Sequence, residues 1–401
     1  MKVEEMGPAE MILNDYAYFS EYEEFVRQTD LNPEPGAAGL NLPLLGLFGE
    51  VGSLLSELKK KLRDADSYIG YHDSVIEEFG DALWYFTNVA LRAGQNINIL
   101  AQRMFREIDD WDEVDDYKFG GFGDIQPSRE TEGPINYEKF EHGLIVLAGK
   151  VGRLLDDVAS GHTKGNRDVL SSHLVEIFRA FSQAAEDAEI DLEDVIKRNV
   201  IKISSRWPVK QIYTDLFDED IDLDEQLPRH IEMEIRERTS GGRTFVIQKY
   251  NGVIIGDRLT DNRTIKDDYR FHDVFHLAYL AILGWSPVIR SLLKLKRKSK
   301  PEIDENEDGA RAMLIEEGVA TLIFNHGIRL NYFASINSVD YSMLKSIKEF
   351  VKGYEVEICP LWQWEKAILE GFKVFRFLHT YRKGLVIVDL PSRSISIQPL
   401  N

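Results

Sequence analysis

An internal repeat is the strongest constraint on how this chain can fold. Leu47-Phe48-Gly49-Glu50-Val51-Gly52-Ser53-Leu54-Leu55 recurs 100 positions later as Leu147-Ala148-Gly149-Lys150-Val151-Gly152-Arg153-Leu154-Leu155, with six of nine positions identical. Further on, Val75–Ile97 aligns with Leu170–Leu192 at an offset of 95, which predicts a shorter inter-helix loop in the second copy. Such self-similarity marks a duplicated structural unit. The unit is helical by period. From Glu50 to Leu62, residues Val51, Leu54, Leu55, Leu58 and Leu62 form one apolar stripe, and Val75, Phe79, Leu83 and Phe86 form another. Asp73 and Ser74 stand where an N-cap is expected.

Two breaks bound the repeats. Gly120-Gly121-Phe122-Gly123-Asp124 through Gly133-Pro134 reads as a linker, and Asp215–Pro228 is dense in acids, the mark of a solvated connector. Beyond it, Arg229–Thr260 alternates around the turn signals Ser240-Gly241-Gly242 and Asn251-Gly252, predicting a small antiparallel meander. Helical patterns follow at Tyr269–Leu283, Pro287–Lys296, Ala310–Asn325, Ser342–Lys352 and Leu361–Leu378, with a last strand at Leu385–Asp389. The expected fold is mainly α. It comprises repeat one (1–120), a linker (121–136), repeat two (137–210), an acidic connector (211–228) and a helix-rich α+β domain (229–401).

Composition narrows the function classes. A net charge of −20 over 401 residues argues against a broad basic nucleic-acid surface. Cys359 is the only cysteine, which excludes an intrachain disulfide and a Cys-rich zinc module and fits a reducing cytoplasm. There is no long apolar run, so no membrane span is expected. The acidic start, Met1–Asp15, lacks the pattern of a signal peptide.

Carboxylates cluster in the first repeat. Glu57 follows Glu50 by nearly two helical turns, and Glu78 and Asp81 share a face of the next helix, beside Glu77. Carboxylates facing inward from two helices repel unless a hard cation sits among them, and magnesium takes oxygen ligands. The alternative is a set of surface acids on helix first turns, favoured by the macrodipole.

Gly46-Leu47-Phe48-Gly49-Glu50-Val51-Gly52, followed by Ile76-Glu77-Glu78-Phe79-Gly80-Asp81-Ala82-Leu83-Trp84-Tyr85, resembles the MazG-like nucleotide pyrophosphohydrolases. The likeness spans about residues 40–112, with a weaker second copy over about 137–207. It implies an all-α enzyme that hydrolyses a nucleoside triphosphate to monophosphate and pyrophosphate, with Mg2+, or Mn2+ in its place. It also implies assembly into a homo-oligomer, with sites built at a dimer interface. The family pairs an E-x-x-E on one helix with an E-x-x-D on the next. Glu50 matches the first acid, and Glu78 and Asp81 match E-x-x-D, but Ser53 stands at the second acid of E-x-x-E. Glu57 and Glu77 are the nearest substitutes for the missing ligand. Lys60 and Arg63 stand where they could steady phosphates, or simply form a solvated face.

The second copy has lost these acids: Lys150 replaces Glu50, Arg153 stands at Ser53 and His173 at Glu78, while Glu176 keeps an acid at Asp81. It carries Asn199 and Lys202, resembling the family's closing N-x-x-K element for nucleotide binding, where the first copy has Met104 and Glu107. The expectation is one composite site, with metal acids from copy one and Asn199 and Lys202 from copy two. The plainer alternative is an ordinary helix end.

In the last domain, His272 and His276 are spaced i, i+4. That suits two imidazole ligands of one metal, with Glu317 of the acidic pair Glu316-Glu317 as a third. A hydrogen-bonded core pair is the commoner outcome. No His-Glu-x-x-His is present, and His272-Asp273 lacks the upstream histidine of an HD phosphohydrolase. Lys294–Lys300 carries five basic residues of seven, read as a solvated loop.

Three functions are thus open. The first is a magnesium-dependent triphosphate pyrophosphohydrolase. The second is a non-catalytic nucleotide sensor, motivated by Ser53. The third is a separate metal-dependent hydrolase in the C-terminal domain.

Overall fold

The computed structural model describes residues 16–31, 37–105, 120–126, 135–163 and 166–400. The chain divides into two compact units, Met1–Val209 and Lys210–Asn401. It is mainly α, with one antiparallel sheet in the C-terminal unit, as the sequence patterns predict.

The N-terminal unit contains α1 (Phe19–Thr29), α2 (Asn41–Asp64), α3 (Tyr71–Arg92), α4 (Ile97–Phe105), α5 (Tyr137–Ala159), α6 (Arg167–Asp187) and α7 (Leu192–Arg206). Copy one forms α2–α4 and copy two forms α5–α7. In each copy the first two helices make a hairpin, and α2 packs on α5 to join the hairpins. The third helices are exchanged: α7 of copy two lies on α3 of copy one, and α4 lies on α6. One core results. Phe79 meets the Phe181 ring edge-on at 5.3 Å, and Phe86 stacks on Phe178 at 5.1 Å, all four rings being buried.

Four expectations change here. Helix α2 begins at Asn41, because Leu44 and Leu47 continue its buried stripe and Pro43 falls in the first turn, where no intrahelical N–H bond is lost. Asp73 and Ser74 do not cap α3. Its N-cap is Gly70, and Asp73 in the first turn pairs with Arg198 at 2.7 Å. The second copy's shortening lies in the helix, not the loop: α2 runs 14 residues beyond Glu50 and α5 only nine beyond Lys150. The connecting segments, 65–70 and 160–166, are six and seven residues long. Part of the proposed linker is packed: Phe122 is buried against Phe19 and Tyr22, with ring centroids 4.7 and 5.6 Å away. Residues 127–134 of that linker, Glu107 and Met1–Asp15 lie outside the described residues.

The C-terminal unit builds a five-stranded antiparallel sheet in the order β3-β2-β1-β4-β5. The strands are β1 (His230–Ser240), β2 (Arg243–Tyr250), β3 (Val253–Leu259), β4 (Lys383–Asp389) and β5 (Ser394–Gln398). Two-residue turns join β1 to β2 and β2 to β3. Gly241 (φ +59°) and Gly242 (φ +73°) form the first, and Asn251 (φ +49°) and Gly252 (φ +79°) the second, the left-handed pairs that match strand twist. Strand β5 was not foreseen. It pairs Ile395 and Ile397 with Val388 and Val386 and supplies a partner for the edge of β4.

Around the sheet lie α8 (Asp273–Leu283), α9 (Pro287–Leu293), α10 (Pro301–Asn306, also unforeseen), α11 (Ala310–Arg329), α12 (Tyr341–Phe350) and α13 (Leu361–Tyr381). Helix α8 is buried along its whole length, packed on α13, β4 and β5, which explains its apolar sequence. Among the described residues no single helix is long and apolar enough to cross a membrane.

The acidic segment and the basic run are not simply solvated. Buried Asp218 pairs with Arg290 and Arg229 at 2.8 Å each. Within the basic run, Arg297 is fully buried and holds Asp308 and Glu355 at 2.8 Å each. Charges of one sign in each segment are thus matched from elsewhere in the unit, as buried ions require.

Candidate functional site

The acidic cluster forms from two helices. Glu50 on α2 and Glu78 and Asp81 on α3 bring one carboxylate oxygen each to within 4.8 Å of one another. Each is half-buried. The hairpin closes tightly because Gly46 faces Tyr85: a Cβ there would stand 2.3 Å from the ring. Burial raises Glu78 to about 8, helped by a hydrogen bond shared with Glu50 and by the charges of Glu50, Asp81 and Glu77. Glu50 is raised as well, by burial and then by Asp81. A divalent cation among these oxygens would remove that repulsion, so the donor set fits a hard metal.

Copy two closes the cluster. Asn199 on α7 donates from Nδ2 to Asp81 Oδ1 at 3.1 Å, and Lys202 pairs with Asp81 and, at 3.0 Å, with Glu77. Gly80 permits this approach, since a Cβ there would come 2.9 Å from Asn199 Cβ. Asn199 is itself fixed: buried Tyr22 of α1 donates its hydroxyl to Asn199 Oδ1 at 3.2 Å. Burial, and next Asp81, push the Tyr22 phenol well up, so it stays a donor. Tyr22 was not visible from the repeat, because α1 lies upstream of it.

Other expected residues are engaged elsewhere. Glu57 is buried, pairing with Lys60 at 2.5 Å and accepting from the Tyr68 hydroxyl, so its carboxylate is already engaged. Arg63 pairs with Asp64 at 2.6 Å on the surface. Neither Lys60 nor Arg63 is bonded to the cluster acids. Glu77 joins the charge network through Lys202. Ser53, half-buried one turn beyond Glu50, brings no carboxylate.

The corresponding place in copy two carries its own positive charge. Lys150 Nζ lies 2.6 Å from Glu176 Oε2, so an ammonium paired with one acid occupies the positions of Glu50 and Asp81. Lys150 holds Glu176 below the usual carboxylate range. His173, at the Glu78 position, pairs with Asp157 at 2.9 Å.

The C-terminal unit gathers a second set. One ligand atom each from His272, His276 and Glu317 lies within 4.8 Å of the others. His272 sits at the junction of a 3-10 turn (Tyr269–Phe271) and α8, and stacks on the Tyr269 ring at 4.3 Å. His276 is fully buried in the first turn of α8. Glu316, neighbour of the expected ligand Glu317, accepts from His276 Nδ1 at 2.8 Å. That orienting role was not foreseen, although the acidic pair on an apolar helix was its signal.

Fold and side-chain clusters define a two-unit chain with a three-carboxylate cluster in its helical half and a histidine–carboxylate cluster in its α+β half. Residues 212–401 match the family described as the MazG C-terminal domain, which relates this part of the chain to MazG proteins. A 72-residue stretch, 18% of the chain, is 32% identical to the Gene 37 protein of Mycobacterium phage L5 and spans 63% of that relative's length. No solved structure matches.

Proposed function

We propose that the N-terminal unit is a magnesium-dependent nucleoside triphosphate pyrophosphohydrolase, with Mn2+ able to replace Mg2+. One observation carries the reading: Glu50, Glu78 and Asp81 of one repeat converge beneath Asn199 and Lys202 of the other. The MazG relationship of residues 212–401 supports it from the other end of the chain.

Water adds to the α-phosphorus, the bond from Pα to the bridging oxygen breaks, and pyrophosphate leaves with that oxygen. Bound among the carboxylates, Mg2+ supplies charge neutralisation and Lewis acidity. Glu50 orients the attacking water and takes its proton as the general base. Lys202 offers an ammonium to the phosphates from beside Asp81 and Glu77. Asn199, locked by Tyr22, keeps Asp81 oriented.

Ser53 favours a second reading, a nucleotide sensor that binds without turnover, because the cation site has three carboxylates where the resemblance leads one to expect four. Each canonical and deoxy triphosphate, incubated with the full chain and Mg2+, separates the two. Pyrophosphate released by wild type and not by Glu50→Gln or Asp81→Asn supports the enzyme. Binding without pyrophosphate supports the sensor. Neither binding nor release overturns both.

A further inference from the structure

Two imidazoles in the C-terminal unit have their hydrogens committed away from each other's common ground. His272 Nδ1 lies 2.9 Å from the Tyr269 carbonyl oxygen, and His276 Nδ1 lies 2.8 Å from Glu316 Oε1. Neither partner has a hydrogen to give, so each Nδ1 is the donor and Nε2 is the ring atom left to face the cluster. The Glu316 carboxylate is held in turn: Ser286 Oγ donates to Oε1 at 2.7 Å and Val288 N to Oε2 at 2.8 Å. This is the outer-shell arrangement that fixes tautomer and orientation in metal-binding histidines.

Both Nε2 atoms face carboxylates. His272 Nε2 is 3.1 Å from Asp273 Oδ1 and 3.6 Å from Glu317 Oε2, and His276 Nε2 is 3.4 Å from Glu317 Oε1. His276 Nε2 makes no hydrogen bond, although the ring is fully buried. A lone pair against a carboxylate is repulsive unless positive charge lies between them. Protons on both rings would supply it, at the cost of two buried imidazolium ions. One dication serves both nitrogens and the carboxylate at once.

We propose that His272 Nε2, His276 Nε2 and Glu317 hold a transition-metal dication, with Asp273 as an adjacent oxygen donor. The donor set decides the class of ion. Two imidazoles and a carboxylate suit Zn2+ or Fe2+, whereas the all-oxygen cluster of the N-terminal unit suits Mg2+ or Mn2+. The three ligand atoms lie within 4.8 Å of one another, within reach of one ion with bonds of about 2.1 Å once the side chains close on it. Glu317 forms the open side, its side chain 40% exposed against 7% and 0% for the two histidines. Water or a substrate oxygen completes the shell there. The site does not depend on the reading of the N-terminal unit.

The test is Co2+ binding to metal-stripped full-length protein, read by visible d–d absorption, together with elemental analysis of protein purified without chelator. With millimolar Mg2+ present to fill the acidic cluster, wild type should bind about one Co2+ in a mixed nitrogen–oxygen site and retain one transition metal from expression. His272→Ala should lose the absorption, Glu316→Gln should weaken binding roughly 10–100-fold, and Asp81→Asn should leave both unchanged. Glu317→Gln is the variant least dependent on folding, because that side chain is half-exposed, and it should also weaken the bands. His276→Ala is avoided, since it strands buried Glu316. Absence of d–d bands in wild type overturns the proposal, as do bands that persist in both His272→Ala and Glu317→Gln; the rings are then imidazolium partners of the carboxylates.

Discussion

Asn199 Nδ2 donates to Asp81 Oδ1 at 3.1 Å across 118 residues of sequence, tying the last helix of the second repeat to the acidic helix of the first. The two halves of the N-terminal unit are unequal, one rich in carboxylates and one supplying an amide and an ammonium. If the two make one site, damage to copy two must appear as damage to chemistry on copy one. Lys202→Ala removes the cation beside Asp81 and Glu77 and should lower pyrophosphate release at least tenfold, with the N-terminal unit still folded by circular dichroism. Lys150→Ala is the control. It breaks a pair with Glu176 in the corresponding place and should leave turnover within about twofold, since exposed or half-exposed pairs contribute little.

Metal binding to the acidic cluster should strengthen with pH. Glu78 is raised to about 8, and a proton there competes with the cation. The sign follows from the direction of the shift. Below neutral pH the protonated carboxyl is favoured and affinity falls; as pH rises through about 8 the carboxylate is freed and affinity climbs. Calorimetric titration with Mn2+ at pH 6, 7, 8 and 9 should show dissociation constants falling over that range. In Glu78→Gln the slope should flatten and overall binding weaken. The same shift, taken against the unfolded chain, predicts that the metal-free unit loses stability from the ordinary carboxylate range up to about pH 8, and that Mn2+ restores most at the alkaline end.

Phe79 is fully buried between the copies, in contact with Phe140 and Phe181. Phe79→Ala should cost about 3–5 kcal/mol, the range for emptying a buried aromatic site. The cost should appear in both copies together, because the exchanged helices share one core. Hydrogen exchange that loosens α2–α4 and spares α5–α7 would contradict this.

Which of these features could be read from the sequence depended on whether the partner lay within a pattern. Glu78 and Asp81 share a helix face through their spacing, and the family resemblance singled out Glu50. Asn199 and Lys202 stood out because they resemble the family's closing N-x-x-K element, which the aligned Met104 and Glu107 lack. Tyr22 carried no such signal, since α1 belongs to neither copy and its hydroxyl meets Asn199 only through tertiary packing. Glu57 has the spacing of a ligand, but Tyr68, eleven residues on, takes its carboxylate once α2 ends and the chain turns. Arg297 looked like one more solvated cation in a basic run. Its burial depends on Asp308 and Glu355, which a local reading cannot place beside it. Strand β5 is short and half-exposed, and only its pairing with β4 makes it a strand.

Arg297 accordingly makes a sharp stability test. Its guanidinium bonds both oxygens of Asp308, both of Glu355 and the Phe217 carbonyl. Arg297→Ala leaves Asp308, fully buried, without that partner and should destabilise the C-terminal unit by about 3–5 kcal/mol. The double variant Arg297→Met/Asp308→Leu removes charge from both sides and should recover part of that loss. Urea unfolding followed by tryptophan fluorescence measures both, because Trp285 and Trp364 lie in that core.

Ser53 is the position at which enzyme and sensor part. It follows Glu50 by one helical turn on α2 and is half-buried, so a longer acid there would face the same side as Glu50. Ser53→Glu adds a fourth carboxylate to three that already repel one another. Without metal, the variant should therefore melt several degrees below wild type. With millimolar Mn2+ the order should reverse, because the added oxygen becomes a ligand and the repulsion becomes coordination. If wild type is a sensor for want of that ligand, Ser53→Glu should gain pyrophosphate release on the triphosphate it already binds. If wild type is an enzyme, the substitution should tighten Mn2+ binding and change turnover by less than about tenfold, since Glu50 already serves the water. A variant no more stable with Mn2+ than without it would show that Ser53 lies off the cation site, and the missing charge would then have to come from the phosphates of the substrate.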